Sequence, residues 1–275
     1  MDDIETSSVR IPKLGLGTWR LTGETCSRIV AQALRLGYRH VDTAAMYDNE
    51  AAVGEGIRAA SLERADVFVT TKVWQDDIDD GDLQKSAEAS LERLGLDHVD
   101  LLLVHWPNPR IPLARTVRAL CDAKARGLTR AIGVSNFPSA LLEEAVALAS
   151  QPIACNQVEY HPFLTQKSVL TACRKHGMAM SAYVPLARGR VLEDKTLQEI
   201  GAARGVSPAQ IAIAWAVGQD HVAAIPKTAS AARLEENLAG SKIVLSDDEM
   251  ARISALGSPS GRIVDLDFAP QWDVD

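Results

Sequence analysis

The sequence predicts an α/β fold built on parallel strands, in one domain over residues 1–275, and three observations lead to it. Apolar runs rich in β-branched residues alternate with amphipathic segments along the whole chain. Those runs are near-continuous rather than alternating, as in strands buried on both faces of a parallel sheet. Polar residues stand directly after them: Asp42, Lys72, His105, Ser135-Asn136, Gln157 and Lys227. In a (β/α)8 TIM barrel such strand ends converge on one face, whereas in a doubly wound open sheet most would spread along an edge. The barrel, with an N-terminal β-hairpin and extra helices, is therefore the favoured reading and the open sheet its alternative.

The elements follow in order. Strands are expected at Tyr38–Asp42, Val67–Thr71, Val99–Val104, Arg130–Val134, Ile153–Gln157, Met178–Tyr183 and Val222–Ile225. An eighth lies near Ile243–Val244 or within the N-terminal segment Val9–Leu16. Helical spacing marks Ala51–Ala60, Leu83–Leu94, Leu113–Arg126, Ser139–Ala149, Lys167–His176, Lys195–Arg204 and Arg233–Gly240. Gly95 and Gly127 stop two of these helices, and Ser207-Pro208 caps and opens an additional one over Ala209–Val217. No linker or low-complexity tract divides the chain. Gly15-Leu16-Gly17 lacks the third glycine and the strand–helix context of a dinucleotide fingerprint, and reads as a hairpin end that leads Thr18 and Trp19 into a pocket.

Composition excludes several classes. The 275 residues are 47% hydrophobic and 24% charged, an ordinary soluble balance, and the net charge of −7 argues against a general nucleic-acid surface. Met1-Asp2-Asp3-Ile4-Glu5 lacks the basic and apolar regions of a signal peptide, and no apolar run approaches the roughly 18 residues of a membrane span. Cys26, Cys121, Cys155 and Cys173 are widely spaced, which suits reduced thiols in a cytoplasmic protein.

The stretch from Gly37 to Ile57 organises the chemistry. Asp42 ends a strand, and burying a carboxylate there asks for a cation from a neighbouring strand. Lys72, at the end of the next strand, supplies one, and His105 ends the strand after that. Tyr47 follows Asp42 by five residues, so a phenol comes to lie beside the ion pair, where an ammonium is expected to lower its pKa and make it a stronger acid. Taken singly, Lys72 would be a surface lysine, His105 a core histidine and Tyr47 a core aromatic. Together they propose a proton donor over a Lys–Asp pair, with an imidazole to orient a carbonyl. Lys227 and Arg233, at a strand end and a helix start, can meet a phosphate. A metal-dependent hydrolase using Asp42, His105 and His161 is the competing enzyme class, although the His-x-His and paired-carboxylate patterns are absent and no metal is expected.

These residues carry a family resemblance. Gly37-Tyr38-Arg39-His40-Val41-Asp42-Thr43-Ala44 with Tyr47, Asn49-Glu50 and Val53-Gly54 resembles the signature of the aldo-keto reductases. So do Gly15-Leu16-Gly17-Thr18-Trp19, Thr71-Lys72-Val73-Trp74, Leu103-Val104-His105-Trp106-Pro107 and Gly133-Val134-Ser135-Asn136-Phe137. Asn156-Gln157-Val158-Glu159-Tyr160-His161-Pro162 and Ile225-Pro226-Lys227-Thr228 complete the series, and the short C-terminal end is similar to a bacterial, diketogluconate-reducing branch of the family.

The resemblance implies a barrel, usually monomeric, that binds NADPH and reduces small-molecule carbonyls, with the catalytic tetrad on Asp42, Tyr47, Lys72 and His105. It implies cofactor contacts at Thr18, Trp19, Asp42 and Leu186, with Ser135, Asn136 and Gln157 on the carboxamide and Tyr183 stacked on the nicotinamide. Lys227, Thr228 and Arg233 fall on the 2′-phosphate site, and Glu236 and Asn237 near the adenine. The substrate would meet Tyr47 and His105 under a wall of Trp19, Trp74 and Trp106, with Trp272 closing one side. The chain departs from the common pattern at Val184, where a serine often contacts the pyrophosphate, and Arg188 or Arg190 is the expected compensating charge. The alternative within the family is a relative that binds NADPH in a regulatory or structural role without turnover.

Overall fold

The structure, a computed structural model, describes residues 3–275. A small antiparallel hairpin, β1 (Ile4–Glu5) and β2 (Arg10–Ile11), precedes the main sheet. Then come β3 (Leu16–Gly17), α1 (Gly23–Leu36), β4 (His40–Asp42), α2 (Glu50–Ala60), β5 (Phe68–Val73) and α3 (Asp82–Leu94). The alternation continues through β6 (Val99–Val104), α4 (Leu113–Ala125), β7 (Thr129–Ser135), α5 (Ser139–Leu148), β8 (Ile153–Glu159) and α6 (Lys167–Lys175). It ends with β9 (Ala179–Tyr183), α7 (Lys195–Arg204), α8 (Pro208–Gly218), β10 (Val222–Ala224), α9 (Ala231–Gly240) and α10 (Asp247–Ser254).

Eight strands, β3 to β10, form one parallel sheet in chain order. Every residue of β5, β6 and β8 is buried, as their near-continuous apolar runs predict, and the polar residues among them, such as Asp100 and Asn156, are buried too. The sheet's outer strands meet through the backbone. Gly15 N–H donates to the Ala224 carbonyl at 2.9 Å, Ala224 N–H to Lys13 at 2.8 Å, and Gly17 N–H to Pro226 at 3.1 Å.

Of the two places expected for the eighth strand, the N-terminal one holds it, at Leu16–Gly17, while Ile243–Val244 is irregular; the reading of Gly15-Leu16-Gly17 as a hairpin end is corrected, because Leu16 and Gly17 pair with Val41 and Asp42 in the main sheet and the hairpin lies before them. Helices α1 and α10 are additions to the expected elements. In α1 the signal is present in the sequence: Cys26, Ile29, Val30, Ala33 and Leu34 recur at helical spacing and all are buried.

The helices pack on the sheet through that apolar spacing, and the start of α8 is the one the sequence marks best. Ser207 caps α8, accepting from Gln210 N–H while the Gln210 side chain accepts from Ser207 N–H. Helix α2, which follows the Tyr47 loop, is pressed against α3 at Gly54. A Cβ there would stand 2.0 Å from the Leu94 carbonyl oxygen, backbone that cannot swing aside. Gly54→Ala is expected to lose about 2–3 kcal/mol, read as a lower midpoint in urea with the m-value unchanged.

Candidate active site

Three successive strands deliver the central groups: Asp42 ends β4, Lys72 is the penultimate residue of β5, and His105 follows β6. Lys72 is fully buried, and its Nζ donates to Asp42 Oδ1 at 2.6 Å, to the Thr43 carbonyl at 2.8 Å and to Tyr47 Oη at 3.3 Å. The other Asp42 oxygen accepts from Gln157 Nε2 at 2.7 Å. Tyr47 sits in a short 3-10 turn, Ala45–Tyr47, with its ring edge-on to His105 at 5.6 Å between centroids. Asn49 fixes this loop: it accepts from Thr43 Oγ1 at 2.7 Å and donates to the carbonyls of Thr18 and Leu21 at 2.9 Å each. The loop carrying Tyr47 is thereby tied to the loop carrying Trp19.

Charge in this cluster is set by burial and by the pair. Burial pushes the Lys72 ammonium toward neutrality, but Asp42 and then Tyr47 outweigh it, and the lysine pKa lies above its ordinary value. For Tyr47, burial raises the pKa above the ordinary phenol value; Lys72 opposes this and does not win. The expectation that the ammonium brings Tyr47 below its ordinary value is thus corrected, because desolvating a phenolate costs more than the nearby cation returns. His105 is held well below the usual imidazole range by burial, then by Lys72, so the ring is neutral at neutral pH. Its buried Nδ1 has no partner, as in a site that a polar ligand completes.

A cavity of about 370 Å³ opens above these groups. Its lining includes the expected Thr18, Trp19, Asp42, Tyr47, His105, Trp106, Ser135, Asn136, Gln157, Tyr183, Leu186 and Lys227. Lys72 lies beneath, sealed from it. Trp74 and Trp272 are set behind the wall: Trp74 meets His105 edge-on at 5.3 Å, and Trp272 packs against Trp106 at 6.0 Å. Thr228, Arg233, Glu236 and Asn237 are gathered beyond the cavity at α9. Thr228 Oγ1 accepts from Ser230 N–H at 3.0 Å, Arg233 is exposed in the first turn, Glu236 accepts from Ser207 Oγ, and Asn237 is buried. Met46, Val264 and Leu266 also line the cavity, and sequence reading does not single them out.

The donor set suits a phosphorylated dinucleotide. Ser135, Asn136, Gln157 and Tyr183 form one polar group: Tyr183 Oη donates to Asn136 Oδ1 at 2.8 Å, and Ser135 Oγ to the Gln157 carbonyl at 2.8 Å. Along the same cavity stand Arg188 and Lys227, both exposed cations, with Arg233 beyond. Val184, at the departure from the common pattern, takes φ 52°, a left-handed conformation that costs a β-branched residue about 1–3 kcal/mol. By contrast, the metal set of the competing class does not assemble. His161 is bound to Glu159 at 2.9 Å, Asp42 is committed to Lys72 and Gln157, and no group of three metal-ligating side chains occurs among the described residues.

The sequence model of the Aldo/keto reductase family matches residues 13–258. The chain belongs to this family. Relatives include the methylglyoxal reductase DkgB of Escherichia coli O157:H7, 38% identical over 266 residues, which span 96% of this chain and 99% of that protein. The DkgB protein of Yersinia pestis is 39% identical over 267 residues, 96% of this chain and 99% of its own. Among solved structures, a candidate 2,5-diketo-D-gluconic acid reductase B superposes with a TM-score of 0.97 at 46% identity, covering 100% of this chain and 98% of that one. The Bombyx mori aldo-keto reductase in complex with NADP matches with a TM-score of 0.86 at 31% identity, over 94% of this aldo/keto reductase and 92% of its own chain.

Proposed function

We propose that this aldo/keto reductase is an NADPH-dependent reductase of small aldehydes, ketones and dicarbonyls, with Tyr47 as the general acid. The observation that carries the reading is Lys72 Nζ standing 2.6 Å from Asp42 and 3.3 Å from the Tyr47 hydroxyl beneath the cavity. We read the fold as a closed barrel of one domain over residues 1–275, supported by the backbone bonds that join β3 to β10, and the working form as a cytoplasmic monomer.

NADPH, when bound, supplies a hydride to the carbonyl carbon. The chain's own residues do the rest. Tyr47 gives its proton to the carbonyl oxygen, and the Lys72 ammonium, held charged by Asp42, stabilises the phenolate left behind. Neutral His105 orients the same oxygen by a hydrogen bond. Because the Tyr47 pKa is raised, the phenol is protonated throughout the neutral range and favours reduction; oxidation of alcohols, which needs it deprotonated, should climb toward alkaline pH. Thr18, Trp19, Asp42, Ser135, Asn136, Gln157, Tyr183 and Leu186 would hold the nicotinamide end, and Lys227, Thr228, Arg233, Glu236 and Asn237 the 2′-phosphate and adenine end. Arg188 would serve the pyrophosphate in place of the hydroxyl that Val184 does not offer.

The cavity that Tyr47 and His105 line also presents the apolar Trp19, Met46, Trp106, Val264 and Leu266. The lining's cations, Arg188 and Lys227, lie on the loops after β9 and β10. An uncharged dicarbonyl of the methylglyoxal kind is therefore favoured over a carboxylate-bearing sugar acid. NADPH consumption across a panel of neutral and anionic carbonyls tests this. Turnover is expected to be best with the neutral ones, and NADPH binding with none turned over would leave a binding protein. Arg233→Ala should raise the KM for NADPH about 10–100-fold and change that for NADH little, since one charge-assisted phosphate bond is removed. Equal effects on both would remove Arg233 from the 2′-phosphate.

A further inference from the structure

After α10 the chain crosses the mouth of the cavity as an irregular strap, residues 262–275. Its two ends are held by carboxylates. At the near end Glu159, the last residue of β8 and fully buried, turns both oxygens to the strap. Oε1 accepts from Ile263 N–H and Oε2 from Val264 N–H, each at 2.7 Å, and His161 Nε2 stands 2.9 Å from Oε1.

At the far end the strap's own acids close two helices. Asp273 accepts from Ser139 N–H at 2.8 Å and from its hydroxyl at 2.6 Å, at the start of α5. Asp275 accepts from Ser168 N–H at 3.0 Å and from its hydroxyl, in the first turn of α6. Neither helix caps itself: Pro138, before α5, has no side-chain acceptor, and Gln166, before α6, makes no cap bond, its amide instead donating to the Glu159 carbonyl at 2.9 Å. Unmet first-turn amides and the positive end of the helix dipole make these starts good seats for a carboxylate.

What lies between the anchors forms the outer wall. Val264 and Leu266 line the cavity, Phe268 packs edge-on to Trp74 and Trp106, and the Arg262 guanidinium lies 3.7 Å over the Trp272 ring. Leu266 and Phe268 are 43% and 37% exposed, so packing alone holds this wall weakly and its position depends on the anchored ends. We propose that Glu159, Asp273 and Asp275 are positioning residues that set which carbonyls the cavity admits, by clamping residues 262–275 as its outer wall. This rests on the reductase reading. None of the three lines the cavity, so their effect passes through Val264, Leu266 and Phe268.

The test uses the full-length protein with Asp273 and Asp275 both changed to Ala, and both changed to Asn as the conservative pair that still accepts from an amide. KM and kcat are measured with NADPH for a small dicarbonyl and for a bulky aromatic aldehyde, NADPH affinity by fluorescence, and hydrogen exchange over 262–275 by mass spectrometry. In the Ala pair the ratio of kcat/KM for small over bulky carbonyl should fall about tenfold, through KM for the small one. NADPH affinity should stay unchanged, exchange over the strap should quicken, and the Asn pair should sit near the unaltered protein. Glu159→Gln should quicken exchange at the near end; because that site is buried, the Asp pair carries the test. An unchanged selectivity ratio in the Ala pair, with or without faster exchange, overturns the proposal. If the unaltered protein reduces no carbonyl, the reductase reading fails by itself, and unaltered exchange in the Ala pair then overturns the clamp as well.

Discussion

Tyr47→Phe is expected to lower kcat for carbonyl reduction by about 10²–10⁴-fold while leaving the Kd for NADPH within about twofold. In barrier height this is about 3–5 kcal/mol, the contribution of a positioned proton donor in a partly dry site. The substitution removes one oxygen whose hydrogen bond is to Lys72, and Lys72 keeps Asp42 and the Thr43 carbonyl, so the ion pair and the fold survive. The ring also keeps its edge contact with His105, which leaves the cavity's shape in place. Single-turnover reduction and equilibrium NADPH titration separate the two quantities. Turnover unchanged in the Phe protein would take the general-acid role from Tyr47, and weakened NADPH binding with intact chemistry would make it a cofactor contact instead.

Asp42, Lys72 and His105 are legible in the sequence because each stands at or next to the end of a buried strand that is mostly apolar. Asp42, Lys72 and His105 break such runs, and a charged group at a fully buried strand end has few physical uses other than a pair or a site. Tyr47 is legible through its short distance from Asp42. The choice of the N-terminal segment as the eighth strand is not, since two residues carry no period, and their place is fixed by pairing with Val41 and Asp42 and by the bond from Gly17 to Pro226, more than two hundred residues away. The same holds for Val264 and Leu266, which line the cavity because the Glu159 carboxylate, more than a hundred residues earlier, holds the backbone at Ile263 and Val264. The pKa of Tyr47 escapes for another reason: the sign of its shift depends on burial against a cation, and the burial arises only when distant segments close over the phenol.

Lys72→Met tests the ion pair itself and should be the more damaging change. It leaves Asp42 buried at the end of β4 with Gln157 as its remaining side-chain donor. Removing one partner of a buried pair costs about 3–5 kcal/mol, a large share of the roughly 5–15 kcal/mol that holds a typical domain. In the unaltered protein the Lys72 pKa is raised, so its contribution is complete below the ordinary lysine value and is lost only as pH climbs through the higher folded-state value. Adding Asp42→Asn to Lys72→Met should recover part of the stability and none of the turnover, since an amide needs no counter-ion while Tyr47 still lacks its ammonium. A double variant as inactive as the single one but better folded separates catalysis from stability. A Lys72→Met protein that melts like the parent at neutral pH would show that the buried strand end tolerates the Asp42 charge alone, and the account of why Tyr47 can lose its proton there would have to start from a different group.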